Sequence, residues 1–219
     1  MRVLIFGESD IGHGIRHIYP DTTMVSKEQC DVRDQISVRE TLKRVNPEVI
    51  VNCAGISHVQ RCLNSNPDFW KEEMDVNLFG SYLVAREALT INPKIKMIFI
   101  ASVAGLYGKA EHSGYSASKA AVISLVQSLG MERHYAYSIS PGRVDTKMRE
   151  KDFPGEDKRT RLTTLQVAEV VRDCVNGKYE PGDNIIVRKR GFRSLKRVDK
   201  GQPWKVYLNV QPIGTPKTI

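Results

Sequence analysis

The chain is predicted to fold as a doubly wound, Rossmann-like α/β domain of three layers, a parallel sheet with helices on both faces. Three observations predict it. Short, continuous apolar runs alternate with amphipathic stretches along most of the chain, as strands buried on both faces alternate with the helices that cover them. The segments that follow the runs are rich in Gly, Ser, Thr and Asn, the residues of turns. A length of 219 residues with 41% hydrophobic content supports one sizeable core, and no internal repeat or low-complexity segment divides it.

The elements follow in order. "RVLIF" is a buried strand, then a glycine-containing turn and a short helix from Ile11 to His17. "TTMVS" is the second strand. "SVRETLKRVNP" is a helix with Ser37 as its cap, Glu40 as capping-box partner and Asn46-Pro47 as its stop. "EVIVNCAG" is a strand ending in a turn. Helical stretches from Asp68 to Asn92 and from Tyr115 to His134 flank the strand "KIKMIFIAS". "AYSISPG" and "NIIVRKR" are later strands, with "TLQVAEVVRDCVNG" the helix between them. Residues 1–190 form one domain, and 191–219 extend it with a tail in which "WKVYLNV" alternates like a strand, fit to pair with a neighbouring subunit's sheet or to cover its own edge.

Composition narrows the function. No apolar run of about 18 residues is present and the chain opens directly into a strand, so a cytoplasmic protein without a membrane span is expected. The four cysteines, Cys30, Cys53, Cys62 and Cys174, form no CxxC pair, so neither a metal site nor a disulfide framework is expected. The net charge of +8 is concentrated: between positions 188 and 205 the sequence alone carries eight basic residues against Asp199. Most such runs are solvated, and without interleaved aromatics nucleic acid stays a minor reading.

In a doubly wound sheet, ligands lie beyond the carboxyl ends of the strands, where strand order reverses. The segments that meet there are "GESDIGHG", "NCAGIS", "SVAGLYG" and "PGRVDT". The sharpest constellation is Ser102 after a strand and "YSASK" opening the next helix. Tyr115 and Lys119, at i and i+4, share a helix face. A phenol with a pKa of about 10 exchanges protons poorly near neutrality; a neighbouring ammonium lowers that value, and Ser102 could hydrogen-bond the same substrate oxygen.

Together, "CDV" at Cys30 to Val32, "NCAG" at Asn52 to Gly55, "VNLFG" at Val76 to Gly80, "ASVAG" around Ser102, "YSASK" at Tyr115 to Lys119 and "PGRVDT" at Pro141 to Thr146 resemble, in order, the short-chain dehydrogenase/reductase family. The resemblance covers most of residues 1 to about 190 and includes the family's spacing from Ser102 to Tyr115. It implies hydride transfer between NAD(P)H and a carbonyl or alcohol. Tyr115 would be the acid/base, Lys119 would lower its pKa and hold the nicotinamide ribose, Ser102 would orient the substrate oxygen, and Asn77 would anchor a proton-relay water. Asp31 and Val32 would meet the adenine edge, and Asn52, Cys53, Ala54 and Gly55 the adenosine side. Pro141, Gly142, Val144 and Thr146 would meet the nicotinamide end and the phosphates. The resemblance also implies a homodimer or homotetramer through the two long helices, to which Val122 and Leu125 are suited, although packing within one subunit explains them equally well.

Three departures stand out. The family's glycine loop is spaced three and one, whereas Gly7, Gly12 and Gly14 fall at four and one, with Phe6 in place of the usual Thr. A working but modified loop of Gly7, Ser9, Asp10, Ile11 and Gly12 is expected, provided Glu8 and Asp10 turn their carboxylates away from a diphosphate. The segment "VSKEQCDV" leaves little room for the usual helix and loop. Ser26 and Lys27 there favour NADP over NAD, with Glu28 just behind. The segment "KMREKDFPGEDKRTRL" is short and charged, which fits a small polar or anionic carbonyl compound, with Tyr107, His58 and His112 nearby in sequence, better than a steroid or fatty-acyl chain. Besides the enzyme, two readings stay open: a regulatory protein that senses NADP without chemistry, and a nucleic-acid binder acting through residues 188–205.

Overall fold

The computed structural model describes residues 1–189 and the backbone of Trp204–Leu208 and Gln211–Pro212. The strands are β1 Val3–Phe6, β2 Thr23–Val25, β3 Val49–Asn52, β4 Lys96–Ile100, β5 Ala136–Pro141, β6 Asn184–Arg188, β7 Trp204–Leu208 and β8 Gln211–Pro212. They form one sheet in the order β2-β1-β3-β4-β5-β6-β7-β8, parallel except for β8, which turns back on β7. The tail strand thus covers its own sheet's edge beside β6. Most of the basic run, from residue 190 onward, lies outside the described residues.

Side chains alternate across the sheet because successive strand residues point to opposite faces. Val3, Ile5, Val49, Val51, Ile98 and Ile139 pack on α1 (Asp10–Ile18) and α7 (Thr164–Val175). Leu4, Phe6, Ile50, Met97 and Phe99 pack on α2 (Gln35–Val45), α4 (Gly80–Ile91) and α5 (Ser113–Met131). Val122 is buried in this second layer, so packing within the subunit accounts for it. α1 lies close against α7 because Gly14 has no Cβ; one would stand 2.8 Å from Thr164 Cβ.

Two helix starts differ from expectation. α2 is capped by Asp34, whose Oδ1 accepts from the amides of Ile36 (2.9 Å) and Ser37 (3.3 Å), so Ser37 lies inside the helix and Glu40 pairs with Lys43 instead. A carboxylate at the N-terminus also complements the helix dipole. The stretch 68–92 divides: α3 Pro67–Glu73, capped by Asn66, runs through a π turn at Met74–Phe79 into α4. The π turn carries Asn77, and such bulges often mark functional sites.

Chain order reverses between β1 and β3, which lie side by side with Phe6 level with Asn52. The crevice opens there, beyond the carboxyl ends of β1, β3, β4 and β5.

Candidate active site

A cleft of ≈ 660 Å³ occupies that crevice, bounded by the turns after the four strands. Its floor begins at Gly7, with φ +88, where a Cβ would meet Ala54 N at 2.6 Å. Only glycine allows the backbone to turn there this close to the β3 loop. Ser9 caps α1 by accepting from the Gly12 amide at 3.0 Å, which leaves the Asp10 and Ile11 amides without intrahelical partners at the helix's positive end. Gly12 is buried behind the turn, and a Cβ on it would press on Met24 Sδ at 2.9 Å and Ser9 Oγ at 3.3 Å. The carboxylates have partners of their own. Glu8 faces His13 at 3.8 Å, and Asp10 accepts from the Lys147 amide at 2.7 Å. The irregular spacing therefore still produces a tight turn feeding a helix N-terminus.

At the adenosine end, the Ser26 hydroxyl donates to Glu28 at 2.7 Å, while Lys27 is exposed. Asp31 receives the Arg33 guanidinium, Nη2 at 2.6 Å, and this hydrogen bond holds its carboxyl below the usual range. Val32 is buried against Gly80.

The loop after β3 is fixed from behind. Asn52 donates to Ser81 Oγ at 3.0 Å and accepts from the Ala54 amide at 3.1 Å. Asn77, fully buried, accepts from the Ile56 amide at 2.8 Å and donates to Ile56 O and Ser118 Oγ, each at 3.0 Å. Gly12, Asn52 and Asn77 thus stand behind the cleft wall rather than on it, and the Asn77 side chain is spent on Ile56 of the 53–57 loop and on Ser118 of α5 instead of on a solvent-facing contact. The other predicted residues line the cleft. A Cβ on Gly55 would lie 3.2 Å from both Lys119 Nζ and Asn77 Oδ1, so the absence of one lets the lysine into the floor.

Ser102, Tyr115 and Lys119 converge on this floor. Ser102 caps a 3-10 turn, its Oγ accepting from the Ala104 amide at 3.1 Å, and it lies near enough to the Tyr115 phenol to oppose the rise of its pKa. Lys119 Nζ donates to Ile100 O at 2.8 Å and sits 5.7 Å from the centre of the Tyr115 ring. The expected lowering of the phenol's pKa does not occur here. Burial pushes Tyr115 up to about 12, the Ser102 contact opposing it and the carboxylates of Asp152 and Glu73 adding to it. Burial also lowers Lys119 to about 8 and raises the Cys53 thiol to about 12, with the Ser9 contact opposing the latter. Desolvation is the largest influence on both groups, and Lys119 does not figure among the charges that act on the phenol.

Thr146 caps α6 (Lys147–Asp152) by accepting from the Arg149 amide, and Val144 is buried against Leu162. The charged segment after β5 folds upon itself. Arg161, 1% exposed, joins Asp145, Glu150 and Glu156 at 3.0, 2.7 and 3.3 Å. Among the cleft residues not singled out from the sequence are Ser57, whose buried hydroxyl has no partner, and Lys109, while Arg149 and Asp152 belong to the charged segment read as the substrate side. The signal for Lys109 is a charge placed between a glycine and the tyrosine helix. His112 also lines the cleft, whereas His58 does not; its backbone amide donates to Glu73 and its ring faces Glu72, a residue of the cleft wall, at 3.4 Å.

The family model for short chain dehydrogenases matches residues 9–157. The chain belongs to that family. Similar proteins include human (3R)-3-hydroxyacyl-CoA dehydrogenase, 36% identical over 137 residues, which cover 56% of this chain and 52% of the relative. Another is the NAD-dependent glycerol dehydrogenase of Listeria innocua, 28% identical over 165 residues, 70% of this chain and 65% of the relative. The chain spans about half the length of most of the curated relatives it matches. Among solved structures, a small-chain dehydrogenase in complex with NADPH superposes with a TM-score of 0.77 at 17% identity over 86% of this chain and 96% of that one. A 4-hydroxyisoleucine dehydrogenase mutant complexed with NADH and succinate gives 0.74 at 23% identity over 85% and 96%. In this member of the family the fold of those structures persists, with β2 leading almost directly to Asp31.

Proposed function

We propose that the protein is an NAD(P)-dependent oxidoreductase acting on a small polar carbonyl or alcohol, with Tyr115 exchanging the proton. The observation that carries this reading is the convergence of Ser102, Tyr115 and Lys119 on one cleft floor that begins at the Gly7 turn. The residues fit a dinucleotide: the Asp10 and Ile11 amides would face the diphosphate, Gly55 gives room beside Lys119, and Glu8 and Asp10 are engaged elsewhere. When bound, the cofactor supplies or accepts the hydride. The chain's own part is the proton and the positioning. A phenol raised to about 12 is protonated at neutral pH, so Tyr115 is set to donate to a substrate carbonyl oxygen that Ser102 orients, with the Lys119 charge beside it.

Lys27 is the cation for a 2'-phosphate and supports NADP, while Glu28, which holds the Ser26 hydroxyl, opposes it. Residues 1–190 act as one cofactor-binding unit, with 191–219 as an extension. A homodimer or homotetramer in the cytoplasm is part of this reading; Phe79 and Tyr82, half exposed beside and on α4, suit a subunit contact, and no helix among the described residues is long and apolar enough to cross a membrane. The test is Tyr115→Phe. Turnover should fall by about 10²–10⁴-fold while cofactor binding persists; retained turnover would remove Tyr115 from the chemistry.

A further inference from the structure

The substrate side of the cleft carries a cluster of cations, Lys109 and Arg149 on its wall with Arg143 and Arg188 near Lys109, alongside the wall carboxylate Asp152. Arg149 lies 3.6 Å from the centre of the Phe153 ring, Phe153 stacks on His112 at 5.4 Å, and His112 meets the Tyr115 ring edge-on at 6.3 Å. This chain of rings fixes the guanidinium on the same wall as the phenol. Glu156 receives Arg149 at 2.8 Å, Arg143 at 3.1 Å and Arg161 at 3.3 Å, so one carboxylate is shared by three guanidinium groups. Arg188 donates to the Tyr107 hydroxyl at 3.1 Å. Lys109 lines the cleft among them, half-buried, and among the described residues it forms no ion pair. Burial lowers its pKa, and Arg149, Arg143 and Arg188 lower it further, with Glu156 opposing. Asp152, also on the wall, lies close enough to the Tyr115 phenol to raise its pKa and forms no ion pair with Lys109.

A partly desolvated ammonium among guanidinium groups is stabilised by any anion that reaches it. One uncompensated ammonium matches one negative charge. We infer that the substrate of this site carries a carboxylate, received by Lys109 with Arg149 behind it, while its carbonyl or alcohol oxygen meets Ser102 and Tyr115. The inference rests on the oxidoreductase reading and makes Lys109 the residue that sets specificity within it.

The experiment pairs 2-, 3- and 4-oxo acids with their methyl esters and follows NADPH and NADH oxidation by the purified protein. Acids should be reduced with kcat/KM at least about tenfold above their esters; Lys109→Gln should erase that preference, mostly through KM, and Lys109→Arg should restore part of it. Esters reduced as well as acids would overturn the inference and leave the oxidoreductase reading standing. If neither is reduced, calorimetric titration of levulinate and methyl levulinate into the NADPH-saturated Tyr115→Phe variant decides. Binding of the acid alone, lost in Lys109→Gln, keeps the carboxylate site while the hydride reading falls. Equal binding, or none, overturns the inference.

Discussion

Asp10 and Lys147 are joined across the mouth of the cleft: the Asp10 carboxylate accepts a 2.7 Å hydrogen bond from the amide of a residue 137 positions downstream. Asp10 opens α1 after the glycine turn, and Lys147 opens α6, which carries Arg149 and Asp152 on the cleft wall. One carboxylate therefore caps the second helix while sitting in the first turn of its own. The cofactor turn and the substrate wall are tied by it.

Cutting that tie should loosen α6 selectively. In Asp10→Ala, hydrogen exchange at residues 147–152 is expected to speed up about tenfold, the worth of one charge-assisted bond, with the sheet's protection unchanged. Unaltered exchange in α6 would show that Thr146 and the Arg161 network hold the helix without Asp10.

Lys119 makes a pH-dependent contribution whose sign follows from its burial. Its folded pKa is about 8, against an ordinary lysine value of 10.5. Between these limits the unfolded chain binds the proton that the folded chain has released, so this group's contribution to stability rises as pH increases from 8 to 10.5 and is a full penalty below 8. Lys119→Met should remove the penalty and flatten the slope between pH 7 and 9.5, while the lost bond to Ile100 O, worth about 1–3 kcal/mol, offsets much of the gain at pH 7. Urea unfolding across that range reads the difference; parallel profiles for the two proteins would refute it.

Gly7 tolerates no side chain. An alanine there would adopt φ +88 and place its Cβ 2.6 Å from Ala54 N, which is backbone and has little freedom to give way. Gly7→Ala is expected to cost about 3 kcal/mol, from left-handed strain plus overpacking, and to weaken dinucleotide binding with it. An unchanged unfolding midpoint would mean that the turn is softer than its packing indicates.

Much of this was legible in the sequence, for local reasons. Continuous apolar runs such as "VLIF" and "VIVN" announce strands buried on both faces, and Tyr115 with Lys119 announces a shared helix face. What escaped needed the third dimension. Asp34 outcompetes Ser37 as a cap because its carboxylate reaches two amides, a matter of backbone direction that a motif does not encode. The π turn at Asn77 inserts a residue without disturbing an apolar pattern that is broad on that face. Arg161 reads as a surface charge until its three acidic partners fold around it. Spacing reports the proximity of Tyr115 and Lys119 but not the burial that raises the phenol's pKa.

The central claim is that the four-and-one glycine loop forms a working dinucleotide site. Fluorescence titration of the purified protein with NADPH and, separately, with NADH tests it most directly, using Tyr115→Phe as the variant that keeps the cleft and loses the proton. Saturable micromolar binding, retained in Tyr115→Phe and tighter for NADPH, is the predicted result. Binding of neither dinucleotide up to about 1 mM, a free energy weaker than about −4 kcal/mol, would contradict it and leave the cleft without the cofactor that its residues are arranged to hold.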